Sequence, residues 1–108
     1  MANTFKNYTS KSVGTSAATI YTCPSATQTT VIGLTIGNTT SSPITVDVYM
    51  TSSAVDYYLV KTATVPVGGS LVPIGGDQKL VLEAADVLKV VSSAASSADV
   101  ICSLLEIA

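Results

Sequence analysis

Residues 29–50 read TTVIGLTIGNTTSSPITVDVYM, two runs of alternating apolar and polar residues with a turn-rich connection between them. Strand side chains alternate between two faces with period two. The alternation predicts a first strand with Ile32, Leu34 and Ile36 on its core face. It predicts a second strand whose core face carries Ile44, Val46, Val48 and Met50. Residues 38–43 (NTTSSP) supply turn formers, so we expect the two strands to form the central hairpin of a β-sandwich.

The opposite side of the first predicted strand is smooth and uncharged, because Val31, Gly33, Thr35 and Gly37 would lie across the pleat from the core. Glycine inside a strand costs stability and commonly marks a bulge or a close approach of another backbone. Two interpretations follow, a local bulge or a smooth surface for a partner.

The rest of the chain predicts further short strands. Residues 17–23 form one that stops at Pro24, residues 55–61 form another, and residues 62–67 and 71–74 are shorter pieces that Pro66 and Pro73 restrict to edges or linkers. Residues 79–83 and 87–91 are predicted to pair around a tight turn. Residues 98–107 are apolar on both faces, as expected inside a sheet or under another subunit. With 108 residues, we predict one all-β domain, a jelly-roll or immunoglobulin-like sandwich of about 7–8 antiparallel strands over residues 17–108.

The first sixteen residues are polar and lack a clear period, which indicates an N-terminal arm or a weak edge segment over residues 1–16. Phe5 and Tyr8 lie in this segment. They belong either to a frayed terminus or to an arm whose aromatic rings anchor on a neighbouring subunit. The segment lacks the apolar run of a secretion signal, and the chain lacks a stretch long enough for a transmembrane helix.

The composition favours association with other proteins. Charged residues make up 11%, against roughly 25% in an ordinary domain, while apolar residues reach 47% and the mean hydropathy is +0.51. Surfaces with few charges resist association poorly, so we expect a homo-oligomer, with a trimer favoured. The net charge is −2 and the five lysines are scattered, without arginine. Nucleic-acid binding, which needs clustered basic residues, is therefore not expected.

Motifs for catalysis are missing from the sequence. The chain has no histidine and no GxSxG motif, so it offers no nucleophile with a base. Asp77, Glu83 and Asp86 lie close in sequence but do not follow an EF-hand spacing, and turn hydrogen bonds explain them. The sequence predicts no enzyme activity, cofactor, metal or small-molecule substrate. Cys23 and Cys102 are either two buried thiols or a disulfide.

Two long segments resemble a known family. Residues 12–50, SVGTSAATIYTCPSATQTTVIGLTIGNTTSSPITVDVYM, and the strands from residue 57 onward resemble small virion structural proteins of tailed bacteriophages, particularly phages of aquatic cyanobacteria. The resemblance is carried best by the turns at residues 36–40 and 82–86. It implies a non-enzymatic β-sandwich that is built into the virion in many copies.

We therefore expect a capsid decoration or cement protein that stabilises the shell, with phage capsid or other virion proteins as partners. The alternatives are a neck, tail, baseplate or fibre-attachment component and, third, a carbohydrate-binding module whose tyrosines contact a host surface. The residues predicted to lie at a subunit interface are Phe5, Tyr8, Val31, Gly33, Thr35, Gly37, Tyr57 and Tyr58.

Overall fold

A computed structural model describes residues 3–108, which form nine β-strands and no helix. The strands are β1 (Asn3–Val13), β2 (Ala18–Thr22), β3 (Gln28–Asn38), β4 (Ile44–Ser52), β5 (Val55–Val65), β6 (Ser70–Ile74), β7 (Leu80–Leu82), β8 (Val87–Ser92) and β9 (Ala98–Ile107). The predicted all-β class is confirmed.

The strands of residues 3–108 form two packed antiparallel sheets. Sheet I has the order β1-β9-β3-β6, with β7 also paired to β3, and sheet II has the order β2-β8-β4-β5. Because β6 and β7 pair with successive parts of β3, they amount to one interrupted strand. Each sheet then has four strands, and the chain crosses between the sheets at every connection except β4–β5 and β6–β7. This is the eight-stranded winding of a jelly roll, so the predicted sandwich is confirmed.

The predicted central hairpin was wrong. β3 lies in sheet I and β4 in sheet II, so residues 39–43 form a corner between sheets and not a hairpin turn. The same correction applies to residues 79–83 and 87–91, because β7 pairs with β3 whereas β8 pairs with β2 and β4. Alternation shows which side chains of a strand are buried. It does not show whether two strands pair in one sheet or face each other from two sheets, because their side chains are buried in either case.

The core lies between the sheets and is built from one side of nearly every strand. In β3 and β9 these are Leu34, Ile36, Val100 and Leu104, and they meet residues such as Val48 from β4 across the sandwich. Burial of such side chains provides most of the stabilisation of a domain of this size. The fully buried large residues are Val31, Leu34, Ile36, Val46, Val48, Val65, Ile74, Leu82, Leu88, Val90, Val100 and Leu104.

A β-bulge in β3 changes which side chains face the core. Val31 is opposite Leu104 and Gly33 is opposite Ser103, so Ile32 is the extra residue on β3. Val31 is fully buried while Ile32 is half-buried. The prediction that Ile32 fills the core and Val31 faces outward was therefore wrong at these two positions.

The N-terminal segment, as far as it is described, is a strand of sheet I. β1 pairs with β9 from Asn3 opposite Ile107 to Val13 opposite Ala98. It is the edge strand of the sheet, and Val13 is buried in the core. Residues 1 and 2 of the predicted 1–16 segment lie outside the described residues.

Residues 55–67, predicted as two strands, contain the single long strand β5. This strand contains a bulge at Thr62, whose φ is 55° and whose backbone N–H donates a hydrogen bond to Asp47 Oδ1 at 2.7 Å. Nowhere in residues 3–108 is there a helix long and apolar enough to span a membrane.

Candidate subunit interface

The outer side of sheet I is a broad surface with little charge. We call it the sheet I face. It comprises Phe5, Asn7 and Thr9 of β1, Thr30, Ile32, Gly33, Thr35 and Gly37 of β3, Val72 of β6, Val81 of β7, and Asp99, Ile101, Ser103 and Leu105 of β9.

Cross-strand pairing arranges this face in rows. In one row Phe5 is opposite Leu105, which is opposite Thr30, which is opposite Val81. Directly paired residues lie about 5 Å apart, so the apolar members of a row are close neighbours. Four large apolar side chains of this face are more than half exposed, namely Phe5 (74%), Val81 (60%), Val72 (56%) and Ile101 (54%).

The only charged residue in this set is Asp99, at one end of the face. Its carboxylate accepts hydrogen bonds from the Ser12 backbone N–H at 2.9 Å and from Lys11 Nζ at 3.3 Å. These two bonds hold the pKa of Asp99 below its ordinary value, with the backbone bond as the larger cause. The charge is therefore already paired, and the rest of the sheet I face is neutral.

The two glycines on this face are not required by the backbone. Both keep φ out of the left-handed region. A Cβ built on Gly33 would come no nearer than 3.7 Å to its closest neighbour, the Ile74 carbonyl oxygen, and one on Gly37 would lie 4.0 Å from the Asp99 carbonyl oxygen. Both are ordinary contacts, so folding alone leaves room for side chains that would favour a strand. Their absence keeps the centre of the face flat.

The outer side of sheet II has a different character, because its aromatic rings are covered by lysines. Lys61 Nζ lies 4.4 Å above the Tyr58 ring and 3.7 Å from Asp47 Oδ2. The Tyr58 and Tyr49 rings pack with centroids 4.9 Å apart, and Lys89 Nζ lies 6.0 Å from the Tyr49 ring. This cluster is charged and internally paired, as on an ordinary solvated surface.

The long free edges are protected against strand addition. β1 and β5 each have 11 residues and each forms an edge of its sheet. Each contains a register shift with a positive-φ residue directly after a lysine, Lys11–Ser12 in β1 and Lys61–Thr62 in β5. Bulges and lysines on an edge are devices that oppose pairing with another chain. The sheet I face has no equivalent protection.

The structure brings together four of the predicted interface residues. Phe5, Gly33, Thr35 and Gly37 all lie on the sheet I face. Val31 does not, because it is fully buried on the core side. The prediction that Val31 lies at an interface was therefore wrong, and the bulge at Ile32 is the reason.

The predicted tyrosines lie elsewhere. Tyr8 points to the sandwich side of β1, where its ring packs edge-on against Tyr21 with centroids 4.8 Å apart. Tyr58 lies on the outer side of sheet II against Tyr49, while Tyr57 is opposite Met50, a residue packed on the core. Adjacent strand residues face opposite sides, so Tyr57 and Tyr58 do not form one aromatic platform.

The prediction missed the apolar residues of β6, β7 and β9 on this face. Ile101 and Leu105 had a signal, because the last strand is apolar on both sides of its pleat. The sequence carried no such signal for Val72 and Val81, because a single valine in a short strand does not show which side of the sheet it faces.

A buried polar network joins β1, β2, β3 and β9 on the core side of sheet I. Glu106 receives hydrogen bonds from the Tyr21 hydroxyl at 2.5 Å and from Lys6 Nζ at 2.9 Å. The Tyr21 hydroxyl also lies 2.8 Å from Thr29 Oγ1. The bond from Tyr21 and then that from Lys6 hold the pKa of Glu106 below its ordinary value, whereas burial raises the pKa of Tyr21. Each polar group of the network has a partner within it, so we interpret the network as a structural element of the fold.

The two cysteines are free thiols in the core. Cys23 is 1% exposed and its Sγ lies 3.4 Å from Thr29 Oγ1, while Cys102 is fully buried. Burial raises the pKa of Cys102 to about 11. The sequence left two buried thiols or a disulfide as alternatives, and the structure contains the two buried thiols. Residues 3–108 also contain no group of three or more acidic, cysteine or histidine side chains arranged to hold a metal ion.

Comparison with known proteins adds a likeness of fold. No family model matches the chain, and no curated protein matches it in sequence. A structure solved in work on Bacillus endospore appendages, described as a novel family of disulfide-linked pili, is similar with a TM-score of 0.57. The match covers 97% of this chain and 85% of the other at 17% identity. At that identity the likeness concerns the fold alone.

Proposed function

We propose that this chain is a non-enzymatic building block of a multi-subunit structure, in which the sheet I face is covered by another protein chain. The observation that carries the proposal is the neutral sheet I face, with Phe5, Val72, Val81 and Ile101 more than half exposed. Contiguous exposed apolar surface on a soluble domain marks an interaction site. Uncharged surface is also what the centre of a protein interface requires, because charged groups there would lose their hydration.

The virion remains the first proposed setting, as a capsid decoration or cement protein or, alternatively, as a neck, tail, baseplate or fibre-attachment component. The resemblance of the two long segments to phage virion proteins supports this setting. The low content of charged residues, 11%, supports it as well, because a protein held permanently in a shell does not depend on charge for solubility.

A filament is the second proposed setting. The fold is similar to that of a protein from appendages described as disulfide-linked pili. In the present chain Cys23 and Cys102 are buried and free, so the association proposed here depends on the sheet I face and not on these thiols. A filament needs a repeated contact that does not close on itself, so a self-closing pair of sheet I faces would have to be joined to the next pair through a second surface.

Electron microscopy separates the two settings. The purified chain is imaged by negative staining at increasing concentration, and it is also mixed with emptied capsids and sedimented. Regular fibres of the chain alone would support the filament, and saturable co-sedimentation with capsids would support the virion. Ile101→Lys places a charge at the centre of the sheet I face and should abolish either result, whereas Tyr57→Lys, on the β5 edge, should not. If Ile101→Lys changes neither, the sheet I face is not the interface and the proposal fails.

A further inference from the structure

We infer that the sheet I face binds the same face of a second copy of this chain, face to face about a two-fold axis. This inference rests on the proposed function, because it names the partner of the surface proposed there. In a two-fold contact each copy contributes the same patch, so the patch must be complementary to itself. Shape, charge and size of the sheet I face each meet this requirement.

The shape of the face combines a projecting ring with a neighbouring hollow. Phe5 is 74% exposed and is the most exposed large apolar side chain of residues 3–108. Beside it lies a cleft of about 280 Å³, which is lined by Phe5, Lys6, Asn7, Ile32, Ser103 and Leu104. The charge of Lys6 is paired with Glu106 at 2.9 Å. Gly33 adjoins this cleft, because it follows the bulged residue Ile32 and is opposite Ser103, and it presents no side chain. In a two-fold arrangement, the Phe5 ring of each copy enters the cleft of the other.

The charge of the face favours a second copy over an unrelated charged surface. Burying an unpaired charge costs several kcal/mol, so the partner of a neutral surface must itself be neutral. The same face on a second copy meets this condition. Its only carboxylate, Asp99, is bound to Lys11 and to the Ser12 N–H at the end of the face, where it stays on the rim.

The size of the face suits a small stable dimer. Four strands at about 4.8 Å and nine residues at about 3.3 Å span about 19 × 30 Å, or about 570 Å² on each copy. Two copies then bury about 1,100 Å² in total, near the lower bound of specific interfaces. In the dimer, sheet I of one copy would pack on sheet I of the other at about 10 Å, the usual spacing of sheets packed face to face.

Strand addition at the long edges β1 and β5 is less favourable than docking of the faces, because each of these strands contains a residue with positive φ directly after Lys11 or Lys61. A second copy added to β1 or β5 would lose backbone hydrogen bonds at that point. Docking of the faces needs no backbone hydrogen bonds between copies.

The first test measures the mass of the purified full-length chain by light scattering and analytical ultracentrifugation over a concentration series. We expect a dimer of twice the 11.0 kDa chain mass. Gly33→Val adds a branched side chain to the face next to the cleft, and Phe5→Ser removes the ring, so each should raise the dissociation constant at least tenfold. Gly33→Val should keep or raise the melting temperature, because a β-branched residue favours a strand. That combination separates loss of docking from loss of folding.

The control variant is Tyr57→Ser, which removes another ring that is more than half exposed (55%), at the β5 edge, and should leave the dimer unchanged. A wild-type chain that stays monomeric or forms trimers overturns the inference. So does a dimer that is unaffected by Gly33→Val and Phe5→Ser.

Failure of this inference can be told apart from failure of the proposed function. A monomeric chain that still sediments with capsids, and loses this with Ile101→Lys, would keep the building-block function with a different partner. A dimer that neither forms fibres nor binds capsids would keep the two-fold contact and remove the function.

Discussion

Asn38 is the residue that fixes the corner between the sheets. Its side-chain N–H groups donate to the carbonyl oxygens of Ser42 at 2.8 Å, Val65 at 3.1 Å and Pro66 at 3.3 Å. Its Oδ1 accepts hydrogen bonds from the backbone N–H and the hydroxyl of Thr40, at 2.9 and 2.8 Å. One amide therefore ties the end of β3 to the corner loop and to the end of β5.

Asn38→Ala should destabilise the protein by about 2–3 kcal/mol, because buried polar groups that lose their partners cost about 1–3 kcal/mol. Chemical denaturation followed by circular dichroism would measure the change. Ser42→Ala is the matched control, since its backbone carbonyl remains and its side chain is exposed, and we expect a change within about 0.5 kcal/mol. Equal effects of the two substitutions would refute the role given to the Asn38 amide.

Glu106 makes stability depend on acid pH. Its pKa in the folded protein lies below the ordinary value of 4.5 because it is bound by Tyr21 and Lys6. A carboxyl group whose pKa is lower in the folded than in the unfolded protein stabilises the folded state at pH values above its unfolded-state pKa. This stabilisation is lost as the pH falls through the pKa of the group in the folded state. We therefore expect the free energy of unfolding to decrease below about pH 4.5.

Glu106→Gln should lower stability at pH 7 and flatten the decrease below pH 4.5, as measured by urea denaturation at a series of pH values. Asp99→Asn serves for comparison, because Asp99 also has a lowered pKa but its side chain is 38% exposed and solvent screens its interactions. A Glu106→Gln protein with the same acid dependence as wild type would show that another group causes it.

At the scale of elements, the bulge in β3 determines the composition of both the core and the sheet I face. Before the bulge Val31 points to the core, and after it Leu34 and Ile36 do. The extra residue shifts the alternation by one position. Without it, the first half of β3 would place Ile32 inside and Val31 outside.

Val31→Ala should destabilise the protein by about 1–3 kcal/mol through a cavity in the core, in line with losses for buried methyl groups. Ile32→Ala, at the half-buried bulge position, should cost less than about 1 kcal/mol. Thermal and urea unfolding of the two variants would give the order. The reverse order would mean that β3 follows the simple alternation and has no bulge at Ile32.

At the scale of the whole molecule, β1 belongs to the sandwich and is not a separable arm. It supplies Val13 to the core, the Tyr8 ring against Tyr21, and Lys6 to Glu106. It also covers one edge of β9, the strand on which sheet I is centred. These contacts link the first strand of the chain to the last one.

Deletion of residues 1–13 should therefore abolish cooperative folding, because removal of a strand costs more than the about 5–15 kcal/mol by which small domains are stable. Circular dichroism and the solubility of the truncated chain would show this. Removal of Ala108, an exposed residue that follows β9, should leave the melting temperature nearly unchanged. A truncated chain that folds with the wild-type melting temperature would make residues 1–13 an arm after all.

The sequence by itself determined the strand content, the all-β sandwich and most of the core. Alternation of apolar and polar residues with a period of two is the pattern of half-buried strands and does not fit helices. It also indicated the neutral surface at Gly33, Thr35 and Gly37. These are local properties, since the composition and alternation of a segment depend on that segment alone.

Only the tertiary structure decided which strands pair. It assigned β3 and β4 to different sheets, introduced the bulge that buries Val31, paired residues 3–13 with the last strand, and joined Phe5, Val81 and Ile101 into one face. The physical reason is that strand pairing and register depend on contacts between residues far apart in the chain. Alternation in one strand carries no information on its partner.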